Sequence, residues 1–100
     1  MDRQRTFGHR HGLHEGSGFK LGQRVTMLIE TKGTDHDDVE HSLPTGVDGI
    51  VECIEQFDAP QGLTFTIWIP VNEMEGRGIV NVFDEGDGHI SKFISLKEKT

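Results

Sequence analysis

Alternation of apolar and polar positions dominates the chain from residue 19 onward, and no segment carries a sustained helical stripe. The alternation is clearest from Leu63 to Val71. There Leu63, Phe65, Ile67, Ile69 and Val71 interleave with Thr64, Thr66, Trp68 and Pro70. A period of two sends successive side chains to opposite faces of a strand, so the first set is expected to face a core. Pro70 has no N–H to give to a ladder, so it marks an edge or a bulge. Gln23 to Thr31 repeats the pattern, with Val25, Met27 and Ile29 against Thr26, Leu28 and Glu30; Leu28 is its one breach. From Gly49 to Phe57 both faces are partly apolar: Ile50 and Ile54 share one, Val51 and Cys53 the other. That mixture implies burial on both sides or a bulge in a strongly bent strand. Two further strands are expected. In Ile79 to Asp84, Val80 and Val82 oppose Ile79, Asn81 and Phe83. In His89 to Leu96, Ile90, Ile94 and Leu96 oppose Phe93.

The segments between these strands are rich in turn formers. Pro44, Gly46 and Gly49 close a turn that feeds the strand beginning at Gly49. Proline pre-sets φ there and glycine accepts φ > 0. Asp58 to Gly62 and Glu85 to Gly88 read as hairpin turns, and Asn72 to Gly78 as a further turn. Lys32 to Ser42 is polar and acidic, and reads as a long exposed loop, with a short helical turn allowed at Val39 to Leu43. Met1 to Gly18 holds four Gly, three His and three Arg with Phe7 and Leu13 isolated, so it is expected to be a disordered arm. The expected organisation is therefore an arm over residues 1–18, one domain over 19–97 and a tail over 98–100. The expected class is all-β, a small five-stranded barrel.

Composition narrows this picture. One hundred residues with 33% hydrophobic side chains and 13 Gly suit one small, turn-rich β domain with a compact core. No apolar run approaches the ~20 residues that span a bilayer, and no basic-then-apolar segment opens the chain. The single Cys53 has no internal disulfide partner. These features together favour the cytoplasm, with no membrane association. The net charge of −7 is unevenly placed. Residues 1 to 24 hold five Lys/Arg against Asp2 and Glu15, whereas residues 30 to 58 hold nine Asp/Glu against Lys32 alone. Such a domain repels phosphate backbones, so nucleic-acid binding by its face is disfavoured.

The order of turns and strands resembles the SH3-like barrel. In that family a Gly-x-x-Val opening, here within Leu21-Gly-Gln-Arg-Val25, precedes a long loop. The loop enters a Gly-x-x-Gly-x-Val strand, here Gly46-Val-Asp-Gly49-Ile-Val51. Val80-Asn-Val-Phe83 followed by Ile94-Ser-Leu96 resembles the closing hairpin. The similarity covers residues 19 to 97. It is nearer the accessory-barrel kind, as in the small barrel protein of photosystem I or the beta chain of nitrile hydratase, than the signalling domains. The chain contains no Tyr, so the aromatic groove of the signalling type is not visible. Fold resemblance does not confer function.

Four features carry candidate chemistry. Asp35, His36, Asp37 and Asp38, with Glu40 and His41, are residue types that ligate divalent cations, but the spacing lacks the central Gly of a calcium loop. His9, His11 and His14 are likewise possible imidazole ligands without a framework to hold them. Cys53 lies between Glu52 and Glu55, a setting that disfavours a thiolate nucleophile, and reads as a small core residue. Gly86-Asp-Gly88 precedes a strand, not the helix a phosphate cradle requires. Trp68, on the polar side of its strand with Thr66 and Pro70, is the strongest lead, because exposed Trp is enriched in binding hot spots. Phe83 and Phe93 are candidates to join it on an outer face. The expected function is a non-enzymatic protein-binding or assembly module. Its site is Trp68, Thr66, Pro70, Phe83 and Phe93, with the acidic loop selecting a basic partner or with self-association. No catalytic residue, cofactor or metal is assigned. The alternatives are a small-ligand or divalent-metal barrel using Asp35 to His41 and a nucleic-acid-associated barrel, the latter opposed by charge.

Overall fold

The computed structural model describes residues 11–58 and 62–97. These carry ten strands in chain order: β1 (His11–Leu13), β2 (Glu15–Gly16), β3 (Phe19–Lys20), β4 (Arg24–Met27), β5 (Thr31–Thr34), β6 (Glu40–Leu43), β7 (Asp48–Gln56), β8 (Leu63–Asn72), β9 (Arg77–Asp84) and β10 (Ile94–Leu96). Three short 3-10 turns, Glu73–Glu75, Glu85–Asp87 and Ile90–Lys92, complete the described elements. The protein is all-β. Its main sheet runs β10-β4-β7-β8-β9, with β1 also paired to β7, and β2–β3 and β5–β6 form two-stranded sheets. All these pairings are antiparallel.

The period-two pattern selects the core. Val25 and Met27 of β4, Val51 and Ile54 of β7, Phe65, Ile67 and Ile69 of β8, and Ile79 of β9 are buried together with Phe19, Ile90 and Ile94. Phe19 meets Phe65 edge-on at 6.3 Å between ring centroids. Leu28, the breach in the first pattern, lies exposed outside this set. Each fully buried aliphatic or aromatic side chain contributes roughly 1.5–3 kcal/mol relative to exposure.

The mixed pattern of β7 resolves as a bulge. Register shifts between Val51 and Cys53, so Val51 pairs with Ile67 and Ile54 with Phe65 on the core side. One extra residue reverses the alternation, and Val51 and Ile54 thereby share a face. Cys53, expected in the core, instead pairs with Thr66 on the opposite face and is only half-buried. Pro70 likewise adjoins a bulge: the β8–β9 register shifts between Pro70 and Asn72. This shift turns Val71 outward, where it is 37% exposed rather than in the core.

Several sequence expectations are corrected. The loop expected over Lys32 to Ser42 is a hairpin, and the helical turn allowed at Val39 to Leu43 is strand β6. The expected arm does not extend through residue 18. β1 pairs with the β7 edge, Leu13 packs against the core, and Ser17 and Gly18, both at positive φ, make the two-residue turn between β2 and β3. Glu85 to Gly88 does not join a hairpin, because β10 pairs with β4 and not with β9. Residues 1–10, 59–61 and 98–100, including His9, the middle of the Asp58 to Gly62 turn and the tail, lie outside the described residues.

Gly49 shows how tightly the core packs against the start of β7. A Cβ there would lie 2.8 Å from Ile67 Cγ2 and 3.3 Å from Met27 Sδ. Gly49→Ala is expected to destabilise the protein by about 1–2 kcal/mol, measured by urea denaturation, because the neighbours are packed core atoms. Unchanged stability would show that this part of the core can relax.

Candidate functional site on the outer sheet face

β7, β8 and β9 turn their core residues inward, so the alternate positions form a second, outer face. Trp68 is the centre of that face, with Ile50 of β7 opposite it on one side and Val80 of β9 on the other. Thr66 lies between Cys53 and Val82, and Pro70 lies opposite Gly78. The face thus brings together Trp68, Thr66 and Pro70, as the alternation of β8 anticipates. Val80 is 50% and Val82 59% exposed, an unusual degree for β-branched side chains in mid-strand.

Trp68 is half-buried because its indole lies against Gly78. A Cβ at Gly78 would stand 2.6 Å from both Cε2 and Nε1 of the ring and 2.8 Å from the carbonyl oxygen of Ile69. Only glycine leaves room for the ring to lie flat on the strand at this point. The outer face is therefore a broad apolar strip with a seated tryptophan.

Phe83 and Phe93 do not join it. Phe83 pairs with Phe65, on the core side of β9, and stacks on Phe93 with centroids 5.0 Å apart and an interplanar angle of 18°. Both pack against the core. The reason is parity: Phe83 is an odd number of residues from Val80 and Val82, so it points the other way. Val80, Val82 and Ile50 are the members of the outer face that sequence reasoning did not select. The signal for them was present, since Val80 and Val82 stand opposite Ile79 and Phe83 in the alternation of β9.

The acidic hairpin has a different arrangement from a ligand-binding loop. The Asp35 side chain is fully buried. Its Oδ2 accepts hydrogen bonds from His41 Nε2 at 2.7 Å and from Arg77 Nη1 at 2.8 Å. Its Oδ1 accepts from the backbone N–H groups of Asp37 at 2.8 Å and Val39 at 3.2 Å. These bonds, with His41 first and Arg77 next, outweigh burial and hold the Asp35 carboxyl well below the usual carboxylate range. Arg77 also pairs with Asp37 at 2.8 Å and Glu75 at 3.2 Å; Asp35 first, then these two, push its guanidinium above its usual range. The cluster fastens the hairpin tip to the start of β9. Positive charge comes from Arg77, and both Asp35 oxygens are already doubly engaged. Among the described residues no group of three or more His, Cys, Asp or Glu is placed to hold a metal ion.

An open cleft of about 450 Å³ lies beside Pro70, lined by Val47, Asp48, Val71, Glu73 and Met74 among others. Its carboxylates are engaged: Asp48 by Lys97 at 2.6 Å and Glu73 by Arg24 at 2.9 Å. No helix among the described residues is long and apolar enough to cross a membrane. Comparison of the chain with models of protein families, with curated proteins and with solved structures found no match.

Proposed function

We propose that this chain is a non-enzymatic protein-binding or assembly module of SH3-like barrel type, acting in the cytoplasm through the outer face of β7, β8 and β9. The observation that carries the reading is the exposure of Val80 and Val82 beside Trp68 on one continuous face. Contiguous exposed apolar surface marks an interaction site more often than it marks a neutral one, and Trp is the side chain that most often anchors such sites. The barrel reading is supported by the pairing of β10 with β4, which returns the end of the chain to an early strand as closure of a small sheet requires. It is also supported by the long connection from β4 to β7. The role given to the acidic hairpin changes: its Asp35 and Asp37 are occupied by Arg77, so they support the fold, and other acids must set partner choice.

Trp68→Ala and Val82→Ser are expected to abolish retention of partner proteins from cell extract by the immobilised chain. The thermal melt of Val82→Ser is expected to remain within about 2 °C of the parent, because a half-exposed surface position contributes little to stability. Equal retention by the parent and both variants would remove the outer face from consideration.

A further inference from the structure

We propose that the occupant of the outer face is a basic segment of another protein, in which lysine or arginine alternates with apolar side chains. The proposal rests on the reading of this face as a binding surface and adds the chemistry of what it binds. Val80 and Val82 repeat at the ~7 Å of a two-residue strand period, the interval at which an extended segment repeats its own apolar positions. With Trp68 they form the apolar strip.

Acids stand at the rim of that strip. Asp84 follows Val82 by two residues and so shares its face, opposite Thr64. It begins the 3-10 turn Glu85–Asp87 without capping it through its side chain. Glu52 is exposed at the β7 bulge next to Cys53. None of the ion pairs among the described residues involves Glu52 or Asp84, whereas Arg24, Arg77 and Lys97 are each held by carboxylates. Among the described residues, Glu52 and Asp84 thus leave two carboxylates without a paired base beside the strip, on a chain whose net charge is already −7.

Electrostatic complementarity sets partner choice at such rims more than it sets raw affinity. A second copy is the wrong complement. Packing two of these faces together would bring Glu52 and Asp84 against the same acids, between molecules that each carry −7. A segment with alternating basic and apolar side chains meets both features at once.

Trp68 is the only tryptophan in the chain and lies on the face itself, so its emission reports occupancy. The full chain is titrated with a twelve-residue peptide of alternating Lys and Leu, and in parallel with its Glu-Leu counterpart. The Lys-Leu peptide is expected to give a saturable shift of Trp68 emission to shorter wavelength. Its apparent Kd should rise about tenfold between 0.05 and 0.5 M NaCl, as rim charges are screened. Val82→Lys is expected to weaken binding by at least about tenfold, the usual scale for spoiling the centre of an interface. Val39→Lys makes the same charge change at the exposed hairpin tip and is expected to leave the Kd within about twofold, as rim-distant changes do. Val82→Thr, which keeps the β-branch, should fall between the two. Glu52→Gln with Asp84→Asn should weaken binding and flatten its salt dependence.

Equal weakening by Val82→Lys and Val39→Lys would mean bulk charge attraction and would overturn the proposal. Binding of the Glu-Leu peptide, or Val82-dependent dimerisation seen by sedimentation, would retain the face as a binding surface but overturn the basic occupant. If neither peptide nor a second copy engages Trp68, the reading of the face falls, and this proposal with it.

Discussion

Replacing Asp35 by asparagine is expected to lower the melting temperature by on the order of 10 °C and to detach the β5–β6 hairpin from β9. The reason is the crowding of donors around one buried carboxylate. Arg77 Nη1 and His41 Nε2 converge on Oδ2, while the N–H groups of Asp37 and Val39 converge on Oδ1. Asn supplies one acceptor oxygen and turns an NH₂ toward groups that are themselves donors. Breaking one side of a buried ion pair leaves the other without compensation, which costs more than the intact pair contributes. Hydrogen exchange should report the loss locally, with faster exchange at Asp37 and Val39 than at β7 or β8 amides.

The same substitution carries a pH signature with a definite sign. The Asp35 carboxyl is held below its ordinary range in the folded state, so the unfolded chain binds its proton more readily. Stability therefore rises with pH through this window. Its contribution is present in full above the ordinary carboxylate range and is lost as pH falls from about 5 toward strongly acid conditions. The stability difference between the parent and Asp35→Asn should accordingly shrink as the solution is acidified. A difference that stays constant from neutral to acid pH would show that the ionised carboxylate is not what fastens the hairpin.

Gly78→Val is expected to destabilise the protein by roughly 3 kcal/mol and to expose Trp68. Two of the three nearest atoms to a Cβ at this position belong to the indole, at 2.6 Å, and the third is the Ile69 carbonyl oxygen at 2.8 Å. The ring can swing away, but the carbonyl belongs to the neighbouring strand and cannot move without disturbing the β8–β9 ladder. Trp68 emission should shift to longer wavelength, and the affinity of the outer face for any partner should fall with it. Native-like emission together with unchanged stability would contradict the close seating of the ring on β9.

The strands were legible in the sequence because a half-buried sheet imposes a period of two. Leu63 to Val71 named Phe65, Ile67 and Ile69 as core, and the structure buries all three. The mixed faces of Gly49 to Phe57 and the position of Pro70 each pointed to a bulge, and each adjoins one. The hairpin of β5 and β6 was not legible, because its turn uses no glycine. Asp38 takes the left-handed position at φ 63°, Asp38 N–H bonds the Asp35 carbonyl, and the Asp35 side chain closes the turn from within. Aspartate tolerates that conformation, so a charge-rich stretch conceals an ordered turn.

The candidate site divides along the same line. Sequence by itself determined that Thr66, Trp68 and Pro70 share the outer side of β8, since parity along one strand is a local property. It also determined the surplus of acid charge. Only the tertiary structure decided that Val80 and Val82 flank Trp68 while Phe83 and Phe93 stack against the core, because cross-strand register depends on pairing between distant segments. It decided, too, that one bulge moves Cys53 off the core and that Arg77, far along the chain, takes up Asp35 and Asp37. Such assignments require two chain segments to meet, and no period within either segment encodes where the other will lie.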